Sequence, residues 1–220
     1  MLNNASDLNR YEDEAIKAWK PWYEQDYRPL INSTKEALLW HMEDLLKDES
    51  SKKVRAYGVY TCSGLSHISV VMDLVSDDLN GEMMYSDDED LEYLKYCPDE
   101  WTEQADLKYF EKPNKIIEDL HEQFEICSEA FEDIYQAGNY SINEESEHYD
   151  QRNVENIFDA ILQAMKELSR EGRFSWMLDD QLVLVWFSDP SDSEFDLSAK
   201  SVQMLNKFEV FEEFCDNNEE

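Results

Sequence analysis

Six consecutive residues, Leu182-Val183-Leu184-Val185-Trp186-Phe187, carry no polar side chain. In a chain whose Asp and Glu outnumber its Lys and Arg by 52 to 19, so apolar a run belongs in the interior. It is too short for a buried helix and rich in β-branched and aromatic residues. It therefore predicts a strand covered on both faces and central in its sheet.

The elements that would cover it are legible as helical stripes. Pro113 suits the first turn of a long helix. Its apolar residues Ile117, Leu120, Phe124, Cys127, Phe131 and Ile134 recur every three or four positions, and Gly138 and Asn139 end it. A second stripe runs through Val154, Ile157, Phe158, Ile161, Leu162, Met165 and Leu168 and closes at Gly172. Ser33-Thr34-Lys35-Glu36 has the capping-box pattern and predicts another helix start, while Pro21 and Pro29 break the preceding stretch into short pieces. Residues 55–62 and 68–74 read as a hairpin turning at Ser63-Gly64. In its second strand Ile68, Val70, Met72 and Leu74 alternate with His67, Ser69, Val71 and Asp73, as in a half-buried antiparallel strand. Residues 198–214 predict a last helix with an acidic, frayed end. The whole is α+β, an antiparallel or mixed sheet with helices packed on it. One domain over 1–220 is expected, with a helical part at 1–50 and an acidic tail at 208–220.

Charge is unevenly placed. The net charge is −33, yet the first 60 residues hold 9 basic and 11 acidic side chains and the remainder 10 and 41. Such a field repels nucleic acid and anionic membranes and steers basic partners inward. On the helix after Pro113, Glu118, Glu122, Glu125, Glu129 and Glu132 trace one line, with no lysine between the first and the last. Like charges at that spacing cost about 0.2–0.5 kcal/mol per pair. A plain solvated face explains such a line as readily as a binding surface does. Asp77-Asp78, Asp87-Asp88-Glu89-Asp90 and the trio Glu144, Glu145 and Glu147 are further acidic clusters expected in loops, where recognition often resides. Together with the glutamate line they form the expected partner-binding set.

Other chemistry finds little support. Residues 76–87 approach a calcium loop, with Gly81 at the sixth position. Ser76 in first place, Asp87 in last and a strand ahead of it depart from the ligand pattern. Cys62, Cys97, Cys127 and Cys215 form no paired motif and read as reduced thiols. His41, His67, His121 and His148 are scattered, and there is neither a phosphate-binding glycine loop nor a nucleophile elbow. Asp179-Asp180 reads as a turn into the apolar strand. No catalytic residue, metal or cofactor is expected. Trp19, Trp22, Tyr23 and Trp101 are candidate interface anchors, with core packing as the plainer reading. No apolar run approaches the ~20 residues of a membrane span, and the first residues lack the order of a signal peptide. A cytoplasmic protein is expected.

Residues 57–61, the segment Pro98-Asp99-Glu100-Trp101, and the strand ending at Asp189 with Leu205-Asn206 beyond it resemble an uncharacterised family of bacterial α+β proteins. Its members occur among the immunity proteins of bacterial toxin systems, and the resemblance covers residues 10–207. It implies a protein that neutralises a cognate toxin by direct contact and carries no catalytic set. Many such toxins are nucleases with basic, phosphate-binding surfaces, which an acidic inhibitor would meet quickly. An acidic mimic of nucleic acid directed at some other DNA- or RNA-binding protein, and an enzyme with an unrecognised carboxylate site, are the alternatives.

Overall fold

The computed structural model describes residues 5–47, 54–74, 95–101, 103–138, 145–177 and 181–218. In chain order its elements are α1 (Ala5–Tyr23), α2 (Arg28–Leu45), β1 (Val54–Thr61), β2 (Ile68–Leu74), β3 (Glu103–Gln104), α3 (Glu111–Gly138), α4 (Glu145–Arg170), β4 (Leu182–Phe187), α5 (Asp192–Leu205) and α6 (Phe208–Asn218). β1 and β2 form the expected antiparallel hairpin. β2 also pairs antiparallel with the short β3, and β1 pairs parallel with β4. The sheet is mixed, in the order β3-β2-β1-β4, and the fold is α+β.

β4 is therefore the terminal strand, and the expectation that it is central is wrong. Its six residues are all buried nonetheless, because α5 and the residue after it close its free edge. Asn206 Oδ1 accepts the Val183 amide at 2.8 Å, and Asn206 Nδ2 donates to the Val183 carbonyl at 2.7 Å. Ser201 Oγ accepts the Val185 amide at 2.8 Å. Two side chains satisfy backbone groups that a neighbouring strand would otherwise take, which also protects the edge from pairing with another chain. An apolar run reports coverage of its faces. It carries no information about its edges.

Both faces of the sheet are covered. On one, Tyr57, Val59, Ile68, Val70, Met72, Val183, Val185 and Phe187 meet α2, the first half of α3 and α4. On the other, Ala56, Val71, Leu182, Leu184 and Trp186 meet Trp101, Val202 of α5 and Phe214 of α6. This second layer is why Ser69 and Val71, expected to face water, are 2% and 5% exposed. It also explains Gly58, where a Cβ would lie 3.1 Å from both Leu184 Cδ2 and Trp101 Cζ3.

Several local expectations change. Ser33 does not cap a helix. It lies inside α2 and donates to the Leu30 carbonyl at 3.1 Å, while the helix starts at Arg28, whose amide binds Asp26 Oδ1, with Pro29 in its first turn. Pro21 sits in the last turn of α1, so it interrupts little. The expected acidic tail is the helix α6, anchored by Val210 and Phe214. The apolar stripe of α3 serves two partners. Ile117 and Leu120 join the main core, whereas Phe124, Cys127 and Phe131 pack on Trp19 and Trp22 of α1. Trp19 and Trp22 are core residues, each 2% exposed, and Trp101 is buried as well.

Two buried polar contacts tie the layers together. His41 Nδ1 lies 2.8 Å from the Tyr57 hydroxyl; burial pushes the imidazole down to about 4, against a small opposing pull from Asp44, and pushes the phenol well above its ordinary range. Trp22 Nε1 donates to Asn153 Oδ1 (2.9 Å), Asn153 Nδ2 donates to His121 Nδ1 (3.2 Å), and His121 Nε2 donates to the Leu65 carbonyl (3.1 Å). Indole is only a donor and a carbonyl only an acceptor, so the direction of every link is fixed.

Candidate functional site

The outer face of α3 is as exposed as its spacing predicts. Glu118, Glu122, Glu125, Glu129 and Glu132 all face solvent. The line is not uniform, however. Lys115 reaches Glu118 at 2.8 Å and Asp119 at 3.1 Å, and those bonds raise the lysine to about 12. Glu122, Glu125, Glu129 and Glu132 make no ion pair among the described residues. The unneutralised stretch is thus the second half of the helix, the half that carries α1 on its other side.

One residue of this face was missed in the sequence. Ile126 is 54% exposed, four positions after Glu122 and three before Glu129, so it lies between them on the helix surface. Its signal was available: it falls outside the stepping of the buried stripe, between Phe124 and Cys127. On the helix surface Ile126 is flanked by Glu122 and Glu129 and by the shorter or neutral Gln123 and Ala130.

The remaining acidic clusters separate from this face. Asp77, Asp78, Asp87, Asp88, Glu89, Asp90 and Glu144 lie outside the described residues, as do the calcium-like loop and Asp179-Asp180. Glu145 and Glu147 belong to the first turn of α4, not to a loop. Negative residues there suit the positive end of the helix dipole, a local reason for their presence.

A second concentration of polar groups lies where the parallel strands β1 and β4 end, the side of such a sheet on which ligands usually sit. Among the described residues, the two non-glycine residues with positive φ are both here: Leu65 at 55° after β1 and Asp189 at 51° after β4. Such a conformation costs about 1 kcal/mol or more for a residue with a side chain, and persists where its surroundings over-determine it. The turn after β1 is held in four ways. Glu194 of α5 accepts from Ser63 Oγ at 2.9 Å and from the Gly64 amide at 3.0 Å, while its other oxygen closes a capping box with Ser191. His121 holds the Leu65 carbonyl, the Thr61 hydroxyl donates to the His67 carbonyl at 2.7 Å, and Asn114 clasps the amide and carbonyl of Ile68 at 2.7 and 3.0 Å. Burial pushes the Glu194 carboxyl up, but the donors of Ser191, Gly64 and Ser63 outweigh it and hold the group below its ordinary range. On the exposed side of the turn stand Cys62, Ser66 and His67.

A cleft of about 410 Å³ lies elsewhere, between α2 and the start of α3, with Trp40, Tyr109 and Lys112 in its lining. Trp40 is 48% exposed there and meets Tyr109 edge-on at 4.8 Å. Among the described residues no three His, Cys, Asp or Glu side chains converge as a metal site, and no helix is long and apolar enough to cross a membrane.

Residues 34–207 match the family described as Domain of unknown function (DUF4303). The span runs from within α2 to just past Asn206, and so takes in the sheet, both long helices and the side chains that close the edge of β4. No curated protein and no solved structure matches the chain.

Proposed function

We propose that this chain, which belongs to the DUF4303 family, is a binding protein that captures a basic protein on the outer face of α3. Its finer form is an immunity protein, acting in the cytoplasm, whose partner is a cognate toxin nuclease. The inhibitor covers the nuclease's phosphate-binding surface without itself doing chemistry.

One observation carries the reading: Glu122, Glu125, Glu129 and Glu132 stand exposed and without an ion pair among the described residues around a half-exposed Ile126. The charges would speed encounter with a basic surface, and the isoleucine would supply the contact that slows release. Packing on α1 and on the sheet holds this helix in place, so the surface is presented without an ordering cost. The toxin-directed form is supported by the resemblance of residues 57–61, 98–101, the strand ending at Asp189 and 205–206 to an uncharacterised family whose members occur among the immunity proteins of bacterial toxin systems.

The test is capture from an extract of the native strain on the immobilised full chain, read by mass spectrometry. Wild type is compared with Glu122→Gln/Glu125→Gln/Glu129→Gln and with Ile126→Ala. A basic protein retained by wild type should be lost from the triple variant at moderate salt, and should leave Ile126→Ala more quickly. Added back to the retained protein, the wild-type chain should suppress its cleavage of DNA or RNA. Equal retention by all three chains would remove α3 from the interface. Retention without suppression would leave a binder and discard the immunity form.

A further inference from the structure

The polar turn at the end of β1 is not used by the reading above, and it carries a nucleophile. We propose that Cys62 is a reactive thiol, with His67 as its base and Ser66 as a supporting donor, built to form a mixed disulfide with small disulfides.

Cys62 Sγ lies 3.6 Å from His67 Nδ1 and 3.0 Å from Ser66 Oγ, and Ser66 Oγ lies 3.2 Å from the same ring nitrogen. The three groups form a closed triangle, with Ser66 and His67 exposed and Cys62 partly so. A thiol is inert until it loses its proton, and an imidazole in contact with the sulfur is the usual means of removing it. Once the proton has moved, the imidazolium N–H and the serine O–H both point donors at the thiolate.

The backbone that carries the two side chains is held in place. Cys62 and His67 are five residues apart, on opposite arms of the turn. The Leu65 amide donates to the Cys62 carbonyl at 3.0 Å, and the Thr61 hydroxyl ties down the His67 carbonyl. Glu194 of α5, and His121 and Asn114 of α3, then hold the turn from two other elements. Cys127 makes the contrast: it is 1% exposed in the α1–α3 contact, where no reagent reaches it.

The step balances. The Cys62 thiol proton passes to His67 Nδ1, and the thiolate attacks one sulfur of the disulfide. A Cys62–sulfur bond forms as the old S–S bond breaks, and the leaving thiolate takes the proton back from His67. The disulfide is the oxidant and Cys62 the group oxidised.

The experiment uses the full chain, reduced, with cystamine as the probe, since a cationic disulfide is drawn in by a net charge of −33. Aliquots are quenched in acid over time, and the modified cysteines are located by peptide mass mapping. Cys62 should react first, about tenfold ahead of Cys97 and Cys215. His67→Asn should slow Cys62 by about tenfold, and Ser66→Ala by about twofold, with the rates at Cys97 and Cys215 unchanged. Those two cysteines report any general loosening of the fold, and circular dichroism checks that both variants are folded. Cys62 reacting no faster than Cys97 and Cys215 would overturn the assignment. So would an unchanged Cys62 rate in folded His67→Asn.

Discussion

The β4–α5 unit and the outer face of α3 use polar side chains in opposite ways. Along β4 and α5, Asn206, Ser201 and Glu194 each bind backbone groups, and these bonds hold strand, helix and turn in register. On α3, Glu122, Glu125, Glu129 and Glu132 bind nothing among the described residues and repel one another. The first arrangement raises stability and presents little to a partner. The second lowers stability through like-charge repulsion and leaves the carboxylates to solvent. A side chain's contribution here depends on whether a donor is within reach, and that is set by position in the fold.

The largest effect is expected where the bonds are most enclosed. Asn206→Ala removes the partners of both the Val183 amide and carbonyl and should cost about 2–3 kcal/mol, measured by urea unfolding. The opened edge should also promote self-association in size-exclusion chromatography at high concentration. A loss below about 0.5 kcal/mol would mean that water replaces the side chain, and that the edge is not protected as described.

Glu194→Ala should cost less, about 1–2 kcal/mol, because the Ser63 and Ser191 ends of its bonds lie near solvent. Its pH dependence sharpens the point. The folded carboxyl lies below its ordinary 4.5, so the contribution is complete above 4.5 and is lost as the pH falls below it towards the folded value. The stability gap between wild type and Glu194→Ala should therefore hold from pH 7 to about 5 and narrow below 4.5. His41 titrates differently: burial lowers it from 6.5 to about 4, so stability held by the neutral ring is lost as the pH falls across that interval. Both proteins share that loss, and taking their difference at each pH removes it. A gap that stayed constant down to pH 3 would show that Glu194 acts through shape and not through charge.

The smallest effect has the opposite sign. Glu122→Gln/Glu125→Gln/Glu129→Gln should stabilise the chain by about 1 kcal/mol at low salt. The gain should shrink as salt screens the exposed charges. Thermal melts at two salt concentrations read both. A destabilised triple variant would mean that the glutamates bind something within the protein, and the contrast with β4–α5 would fall.

Much of the fold was legible because helical periodicity records burial directly. The stripes of α3 and α4 lie inward at nearly every position read from the sequence, and Gly172, with φ of 72°, follows the end of α4 as expected. The candidate surface on α3 was legible by the same rule, since what is not in the stripe faces out. Its anchor, Ile126, is legible only as an apolar residue outside the buried stripe, and its exposure is what places it on this surface. The thiol–imidazole pair was also hidden, because the four residues between Cys62 and His67 bring the two side chains together only if the turn folds as this one does.

What the sequence determined by itself was local: which faces of the two long helices are buried, where those helices run, that two strands form a hairpin, and that the acidity follows residue 60. What the tertiary structure decided was which partner each buried face meets. Ser33-Thr34-Lys35-Glu36 and Ser191-Asp192-Ser193-Glu194 share one pattern, yet the first lies within a helix and the second starts one and clasps a distant turn. An apolar strand became an edge, and one helical stripe was divided between the sheet and α1. Along a helix the buried face follows the spacing of near neighbours in the chain, so periodicity carries it. Pairing joins groups as far apart as Glu194 and Gly64, 130 residues apart in the chain, and it is fixed only when the packed layers bring them within a hydrogen bond's reach.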